Sequence, residues 1–296
     1  MLPSHRRIIA LAATAAGVIA AQPATGHAAI PQWTLRVIQT YPHDAQAFTQ
    51  GLVWRQGGLF ESTGNYGAST LRAVRLTDGV VERSVALLPE QFGEGLAWIP
   101  GSGDGELIQL TWREGVALRY DAATFAPVGT FPYTGQGWGL CYDGQRLIMS
   151  DGTSTLTFRD PATFAVQGSV QVTGEGLPQR NINELECVDG TVWANIWQTD
   201  LIVGIDPGSG RIIAEIDAAA LADNHRTADV LNGIAYRPDN GHFLFTGKNW
   251  PALYEVEIAK APPVAHDPVT PRPACGATAP VWWALPLLLA LRRRRR

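Results

Sequence analysis

The sequence predicts an all-β fold, a five-bladed β-propeller closed by an N-terminal strand in the last blade, and three observations predict it. The chain carries 31 Gly, 20 Pro and 10 Trp among 296 residues, with only 17% charged side chains, a composition of short strands joined by tight turns. It repeats itself five times: anchored on Gly51, Gly95, Gly139, Leu185 and Gly233, the spacings are 44, 44, 46 and 48 residues. Each repeat reads as four short antiparallel strands, the make-up of one propeller blade.

Taken in order, residues 1–29 read as a secretory signal peptide: His5, Arg6 and Arg7 precede the apolar run Ile8 to Ala21, and Gly26, Ala28 and Ala29 offer a cleavage site. The segment Trp33 to Tyr41 follows, with nothing local to pair with. It is expected to supply the missing outer strand of the last blade and so remove an open sheet edge. The repeats then begin, each opening on a hairpin. These are Gln50 to Trp54 with Gly58 to Ser62, Glu94 to Trp98 with Glu106 to Thr111, Trp138 to Tyr142 with Arg146 to Ser150, Glu184 to Val188 with Thr191 to Asn195, and Asn232 to Tyr236 with His242 to Thr246. Asp143-Gly144 and Asp189-Gly190 are hairpin-turn signals.

The outer halves repeat as well, through the turns Leu76 to Gly79, Tyr120 to Phe125, Arg159 to Phe164 and Ile205 to Gly210. Asp217 to Asp229 is Ala-rich and polar, and reads as an inserted short helix or loop. The last repeat stops after three strands, at Tyr254 to Ile258. Residues 30–260 therefore form one propeller domain. A Pro-rich, extended linker covers 261–274. Residues 275–296 hold Cys275, an apolar run from Val281 to Leu291 and five arginines. Eleven residues fall short of the roughly 20 that span a bilayer, and the arginines would lie on the cytoplasmic side. This tail resembles the bacterial C-terminal sorting tags of the myxobacterial type. The resemblance implies sorting or processing machinery acting at Cys275 and transient or stable membrane contact through 281–291. The chain is expected to be exported, to the periplasm, cell surface or medium, as a monomeric propeller.

The formal charge of −4 conceals a more acidic domain. Seven of the 23 cations lie in Arg6, Arg7 and the last five residues, leaving 16 against 27 carboxylates, a net of −11. That balance excludes nucleic acid as a partner.

Closing the ring brings equivalent strand ends to one channel mouth. The starts of the first strands contribute Gln50, Glu94, Trp138, Glu184 and Asn232, with Asn183 one residue upstream. The ends of the second strands contribute Glu61, Trp112, Asp151, Trp197 and Lys248. Carboxylates, amides, indoles and one lysine are thus expected on one face. By residue type alone each also has a structural use: Glu94 as a solvated rim carboxylate, the tryptophans as blade packing, Lys248 as a surface cation, Asn183 and Asn232 as turn residues. Cys141 and Cys187 occupy matching inner-strand positions and read as buried thiols, with a disulfide left open. There is no phosphate loop, HExxH, CxxC or GxSxG motif, and the six histidines are scattered. No cofactor and no metal ligand set is expected, although a structural ion in the channel stays open.

The strings Phe48 to Gly51 (FTQG), Glu61 to Gly64, Phe92 to Gly95 (FGEG), Gln109 to Trp112, Gly137 to Gly139, Asn183 to Glu186 (NELE), Trp193 to Asp200, Val230 to Ala235 and Thr246 to Lys248 (TGK) resemble the plant-type glutaminyl-peptide cyclotransferases, the glutamine cyclotransferase family. The match runs from about Thr34 to Ile258. It implies five-bladed propellers that turn the N-terminal glutamine of peptides or proteins into pyroglutamate with release of ammonia, without metal. It further implies Glu94 as general acid/base, Gln50, Asn183 and Lys248 as its polar partners in catalysis, and Phe48, Phe92, Trp112, Trp138 and Trp197 as the substrate pocket. Two other classes fit the ring without the resemblance: a metal-dependent, lactonase-like propeller hydrolase using Glu94, Asn183 and Asn232, and a non-catalytic binding propeller.

Overall fold

A computed structural model describes residues 29–261. The leader expected over 1–29 therefore falls, but for its last residue, outside the described residues. So do the linker and tail expected over 261–274 and 275–296, Cys275 and the apolar run included, apart from Ala261.

The described chain is all-β, as the sequence predicts, and organised in four-stranded units. Unit 1 comprises Thr49–Arg55, Gly58–Thr63, Thr70–Val74 and Val81–Ala86. Unit 2 comprises Gly93–Ile99, Glu106–Thr111, Val116–Asp121 and Pro127–Pro132. Unit 3 comprises Leu140–Tyr142, Leu147–Met149, Thr155–Arg159 and Val166–Gln171. Unit 4 comprises Ile182–Val188, Thr191–Ile196, Leu201–Ile205 and Ile212–Asp217. Units 1 to 3 are separate antiparallel sheets, and unit 4 belongs to an eight-stranded sheet.

The other half of that sheet is unit 5, made of Leu231–Arg237, His242–Gly247 and Ala252–Lys260 with the N-terminal strand Gln32–Pro42 at its edge. The N-terminal strand runs antiparallel to Ala252–Lys260, from Trp33 opposite Lys260 to Pro42 opposite Ala252. It is the strand missing from the last repeat, in the place the repeat count assigns to it. Two parallel pairs, Gln32 with Glu215 and Trp33 with Ile216, tie it to the outer strand of unit 4.

Burial follows position in the unit. The first two strands are buried on both faces, and the outermost strands of units 1 to 3 are mostly exposed. The apolar core lies between units rather than within a single layer. Leu96 and Leu107 of unit 2 pack on Val53 and Leu71 of unit 1. Leu140 and Met149 of unit 3 pack on Ile108 and Leu110, and Leu185 and Val203 of unit 4 pack on Ile148 and Phe158. Ile234 and Phe245 of unit 5 pack on Ile202 and Ile216. The series returns to its start, since Ala235 and Leu244 of unit 5 pack on Leu52 and Leu59 of unit 1.

Two covalent or charged clasps reinforce this arrangement. Cys141 and Cys187 form a disulfide between the first strands of units 3 and 4, with Cα atoms 5.5 Å apart. Of the two states the sequence left open, the bonded one is found: matching positions in neighbouring repeats bring the two side chains face to face. The second clasp sits where the N-terminal strand meets unit 1. His43 places Nδ1 2.7 Å from the Trp250 carbonyl and Nε2 3.0 Å from Glu61 Oε1. Glu61 Oε2 accepts from Arg72 Nε at 2.9 Å, and Arg72 Nη1 pairs with Asp44 at 2.9 Å. Both ring nitrogens of His43 face acceptors, so the imidazolium is the form that satisfies them. Burial alone would raise Glu61, but the charges of His43 and Arg72 outweigh it and hold the carboxyl at about 2.

A buried pair that loses one partner leaves the other charge uncompensated. Glu61→Gln is expected to lower unfolding stability by about 3–5 kcal/mol in urea titration at neutral pH. A loss below about 1 kcal/mol, the scale of an exposed pair, would contradict this role for the clasp.

Candidate active site

Four units share one irregularity at the same place. In unit 1, Thr49 pairs with Thr63 but Gly51 pairs with Ser62, so the first strand carries one extra residue there. The same shift lies between Gly93 and Leu96 in unit 2, Ile182 and Leu185 in unit 4, and Leu231 and Ile234 in unit 5. An extra residue in one strand bends it and re-aims a side chain. Gln50, Glu94, Asn183 and Asn232 each stand second in the first strand of their unit, inside that bulge. Trp112, Trp197 and Lys248 directly follow the ends of second strands at Thr111, Ile196 and Gly247.

These residues meet around a cavity of about 390 Å³. The nine residues that the resemblance implies as the site all line it: Phe48, Gln50, Phe92, Glu94, Trp112, Trp138, Asn183, Trp197 and Lys248. Gln198, Asp229 and Val230 join them, and the sequence reading had singled out none of these three. Gln50, Glu94, Asn183 and Lys248 are buried, the aromatic rings half-buried, and Gln198 and Asp229 exposed.

A chain of side-chain amides leads to the carboxyl. Asn183 Nδ2 donates to Asn232 Oδ1 at 2.9 Å, Asn232 Nδ2 to Gln50 Oε1 at 3.2 Å, and Gln50 Nε2 to Glu94 Oε1 at 3.0 Å. Three amides fixed in this order leave Glu94 Oε1 occupied, whereas Oε2 accepts nothing from the described residues and keeps access to the cavity. Burial pushes the Glu94 carboxyl well above its ordinary range; the charge of Lys248 opposes this and Glu114 adds to it. Burial likewise pushes the Lys248 ammonium down, against the pull of Glu94 and Asp229. Lys248 Nζ lies 4.8 Å from the centre of the Phe48 ring, a cation–π contact.

The aromatic wall is held by two edge-to-face pairs, Phe48–Phe92 and Trp138–Trp197, and one tilted pair, Phe92–Trp112. Phe48 meets Phe92 at 6.1 Å, Phe92 meets Trp112 at 5.7 Å, and Trp138 meets Trp197 at 5.4 Å. Gln136, another residue the sequence reading missed, accepts from both Trp112 Nε1 at 2.7 Å and Trp138 Nε1 at 3.0 Å. Gly152, at φ +80, gives its side-chain space to Trp138: a Cβ there would come within 2.6 Å of the indole.

Four residues expected at the mouth do not line the cavity. Glu61 is buried in the His43–Arg72 clasp. Asp151 caps its own turn, accepting from Thr153 N at 3.0 Å. The Glu184 carboxyl accepts from Leu52 N at 3.2 Å and Ile234 N at 2.9 Å, a bolt across three units. The bulge is the reason that Asn183 rather than Glu184 faces the cavity. Asn232 stands behind the cavity wall as the link between Asn183 and Gln50. Among the described residues no three His, Cys, Asp or Glu side chains are grouped to hold a metal ion.

The arrangement can take up and return a proton at Glu94 Oε2, present a cation at Lys248, and enclose a short polar chain between rings. A carboxyl with a raised pKa beside apolar neighbours is suited to acid and base duty in turn.

Comparison with known proteins agrees with this geometry. A family model described as glutamine cyclotransferase matches residues 10–258. A glutaminyl-peptide cyclotransferase of Arabidopsis thaliana is 40% identical over 235 residues, covering 77% of this chain and 72% of that protein. The crystal structure of Myxococcus xanthus glutaminyl cyclase superposes with a TM-score of 0.73 at 40% identity, covering 79% of this chain and all of that one.

The raised carboxyl has a consequence for stability. A group whose folded pKa exceeds its unfolded value stabilises most at low pH, and that contribution disappears as pH rises through the folded value. In urea titrations at pH 5 and pH 9, Glu94→Gln is expected to lose less stability across the interval than the wild type. The difference is about 1.4 kcal/mol for each unit by which the folded value exceeds the lower pH of the interval. Equal losses in the two proteins would contradict the desolvated carboxyl.

Proposed function

The chain belongs to the glutamine cyclotransferase family and cyclises N-terminal glutamine to pyroglutamate with release of ammonia, and we propose that Glu94 carries the proton through that reaction. The observation that supports this reading is the cavity itself, where one buried carboxyl keeps a single oxygen open among rings, amides and an ammonium.

The reaction forms a bond between the substrate's α-amine nitrogen and its own side-chain amide carbon, and breaks the bond from that carbon to the amide nitrogen. The amine loses a proton and the departing nitrogen gains one. Glu94 Oε2 accepts the first proton and delivers it to the leaving group, so the enzyme is unchanged after a turnover. Lys248, whose Nζ makes no hydrogen bond with the described residues, faces the oxygen that turns anionic in the tetrahedral intermediate. Asn183 holds the amide, and Gln50 fixes Glu94. Phe48, Phe92, Trp112, Trp138 and Trp197 fold the flexible glutamine side chain back on its amine, where proximity contributes most. This chemistry runs on a carboxyl and needs no metal ion.

We read the five units as blades of a single closed five-bladed β-propeller, with the cavity at one mouth of its channel. The cyclic order of the inter-unit cores supports that reading. We also propose export of the enzyme. The basic and apolar leader pattern supports this, as does the Cys141–Cys187 disulfide, a bond favoured in oxidising compartments. The cysteine, apolar and arginine pattern of the tail supports a membrane-held or processed C-terminus. Cell fractionation with antibody detection separates an exported enzyme from a retained one.

Incubation of the purified protein with a Gln-initiated peptide is expected to release one ammonia per peptide, with the matching mass loss. Glu94→Gln is expected to reduce kcat/KM by about 10²–10⁴-fold, and dialysis against a chelator to leave turnover intact. Wild-type rates in Glu94→Gln would overturn the proton-carrier role, and activity lost to the chelator and restored by a divalent ion would overturn the metal-free chemistry.

A further inference from the structure

The insert between units 4 and 5 belongs to no repeat, and its two sides do different things. It folds as a short helix, Ala219–Ala222, followed by a 3-10 turn, Asp223–His225. Its inner side is packed: Leu221 and Ala222 are buried in the core shared by units 4 and 5. The His225 ring stacks on Trp250 at 4.3 Å, and its Nε2 lies 2.7 Å from the Tyr254 hydroxyl. The insert's exposed residues Arg226, Thr227 and Asp229 line a groove of about 540 Å³, whose lining also includes Ala222, His225, Gln198, Thr199 and Asp200. Gln198, Asp229 and Val230 line this groove and the reaction cavity alike, so the two spaces adjoin.

Only the first residue of a substrate takes part in the reaction, and the remainder of the peptide has to leave through the cavity mouth. The groove is lined by two carboxylates, Asp200 and Asp229, and one cation, Arg226. The guanidinium is already engaged, with Nη2 at 3.2 Å from Asp200 and 2.5 Å from Asp223. Asp229 stands at the junction of the two spaces, exposed, and among the described residues its carboxylate accepts only the N–H of Val230, at 2.7 Å. An exposed carboxylate beside an emerging peptide, although it also pulls on the buried Lys248 ammonium, attracts a cationic side chain and repels an acidic one.

We propose that this groove holds the second and third residues of the peptide substrate, and that Asp229 makes it favour a cationic side chain there. The proposal rests on the reading of the Glu94 cavity as the reaction site.

The test compares kcat/KM for Gln-Lys-Ala-amide, Gln-Ala-Ala-amide and Gln-Glu-Ala-amide at low and high salt, with wild type, Asp229→Asn and Asp229→Glu. The wild type is expected to prefer Lys over Glu at the second position by about fivefold at low salt, the preference shrinking as salt screens it. Asp229→Asn is expected to bring the Lys-to-Glu ratio close to one, and Asp229→Glu to restore it. Equal rates on all three peptides in the wild type would overturn the proposal. So would an Asp229→Asn variant that loses activity on all three equally while keeping their ratio, the mark of a merely structural role. Failure of the wild type to cyclise any of the three would instead count against the reaction site itself.

Discussion

The site depends on how closely the first strands of neighbouring units approach. At Gly51 and at Gly95 an added Cβ would come within 2.5 Å of the next unit's backbone, at Leu96 N and Leu140 N respectively. At Gly139 it would run into the carbonyl of Asn183. No larger side chain fits where the strands converge, so the repeated glycine sets the width of the centre. Hydrogen bonds then lace each neighbouring pair at the same level. Ser62 Oγ reaches the Glu94 carbonyl, Gly95 N the Trp138 carbonyl, Ser150 Oγ the Asn183 carbonyl, Gly233 N the Asn195 side chain, and Asn232 Nδ2 the Thr49 carbonyl. Four of these five contacts end on the backbone or side chain of a residue in the site or in the amide chain behind it. The scaffold thereby positions Glu94, Trp138, Asn183 and Asn232 without help from flexible loops.

Three buried carboxyls of this fold show how environment divides the work. Glu61, between an imidazolium and a guanidinium, is held at about 2 and serves as a charged clasp. Glu184 is pushed well up by burial, with a further push from Glu186, yet both its oxygens are taken by backbone N–H groups, which makes it a structural bolt. Glu94 is pushed up as well, with one oxygen fixed by Gln50 and the other open to the cavity. Only this last combination leaves a proton both transferable and directed. The clasp, the disulfide and the cores between units offset the cost of burying an uncompensated carboxyl at the centre.

The repeat and seven of the nine site residues were legible because both follow from one pattern, a hairpin recurring every 44 to 48 residues with non-repeating residues at its ends, whereas Phe48 and Phe92 were legible only through the family strings FTQG and FGEG. The same pattern placed the N-terminal strand, since the last repeat lacked one. It misled at Glu184, Glu61 and Asp151, because simple alternation along a strand cannot register the one-residue bulge that turns Asn183 inward. Nor can it say that His43, outside every repeat, claims Glu61. Cys141 and Cys187 matched in position, but a match cannot distinguish two thiols from a bond. Gln136 and Asp229 lie in connecting segments with no repeat to flag them, and their roles arise from neighbours distant in the chain, such as Trp112 and the groove beyond Gln198.

The central claim is that one desolvated carboxyl, kept half-free, moves the proton. Its most direct test is the titration of Glu94 by carbon-13 NMR of labelled glutamate carboxyls, assigned by difference from Glu94→Gln and set beside the acid limb of the kcat/KM profile. A Glu94 midpoint clearly above the ordinary glutamate value of about 4.3, coinciding with that limb, is the expected result. A midpoint at or below the ordinary value, or an acid limb that does not follow it, would contradict the claim.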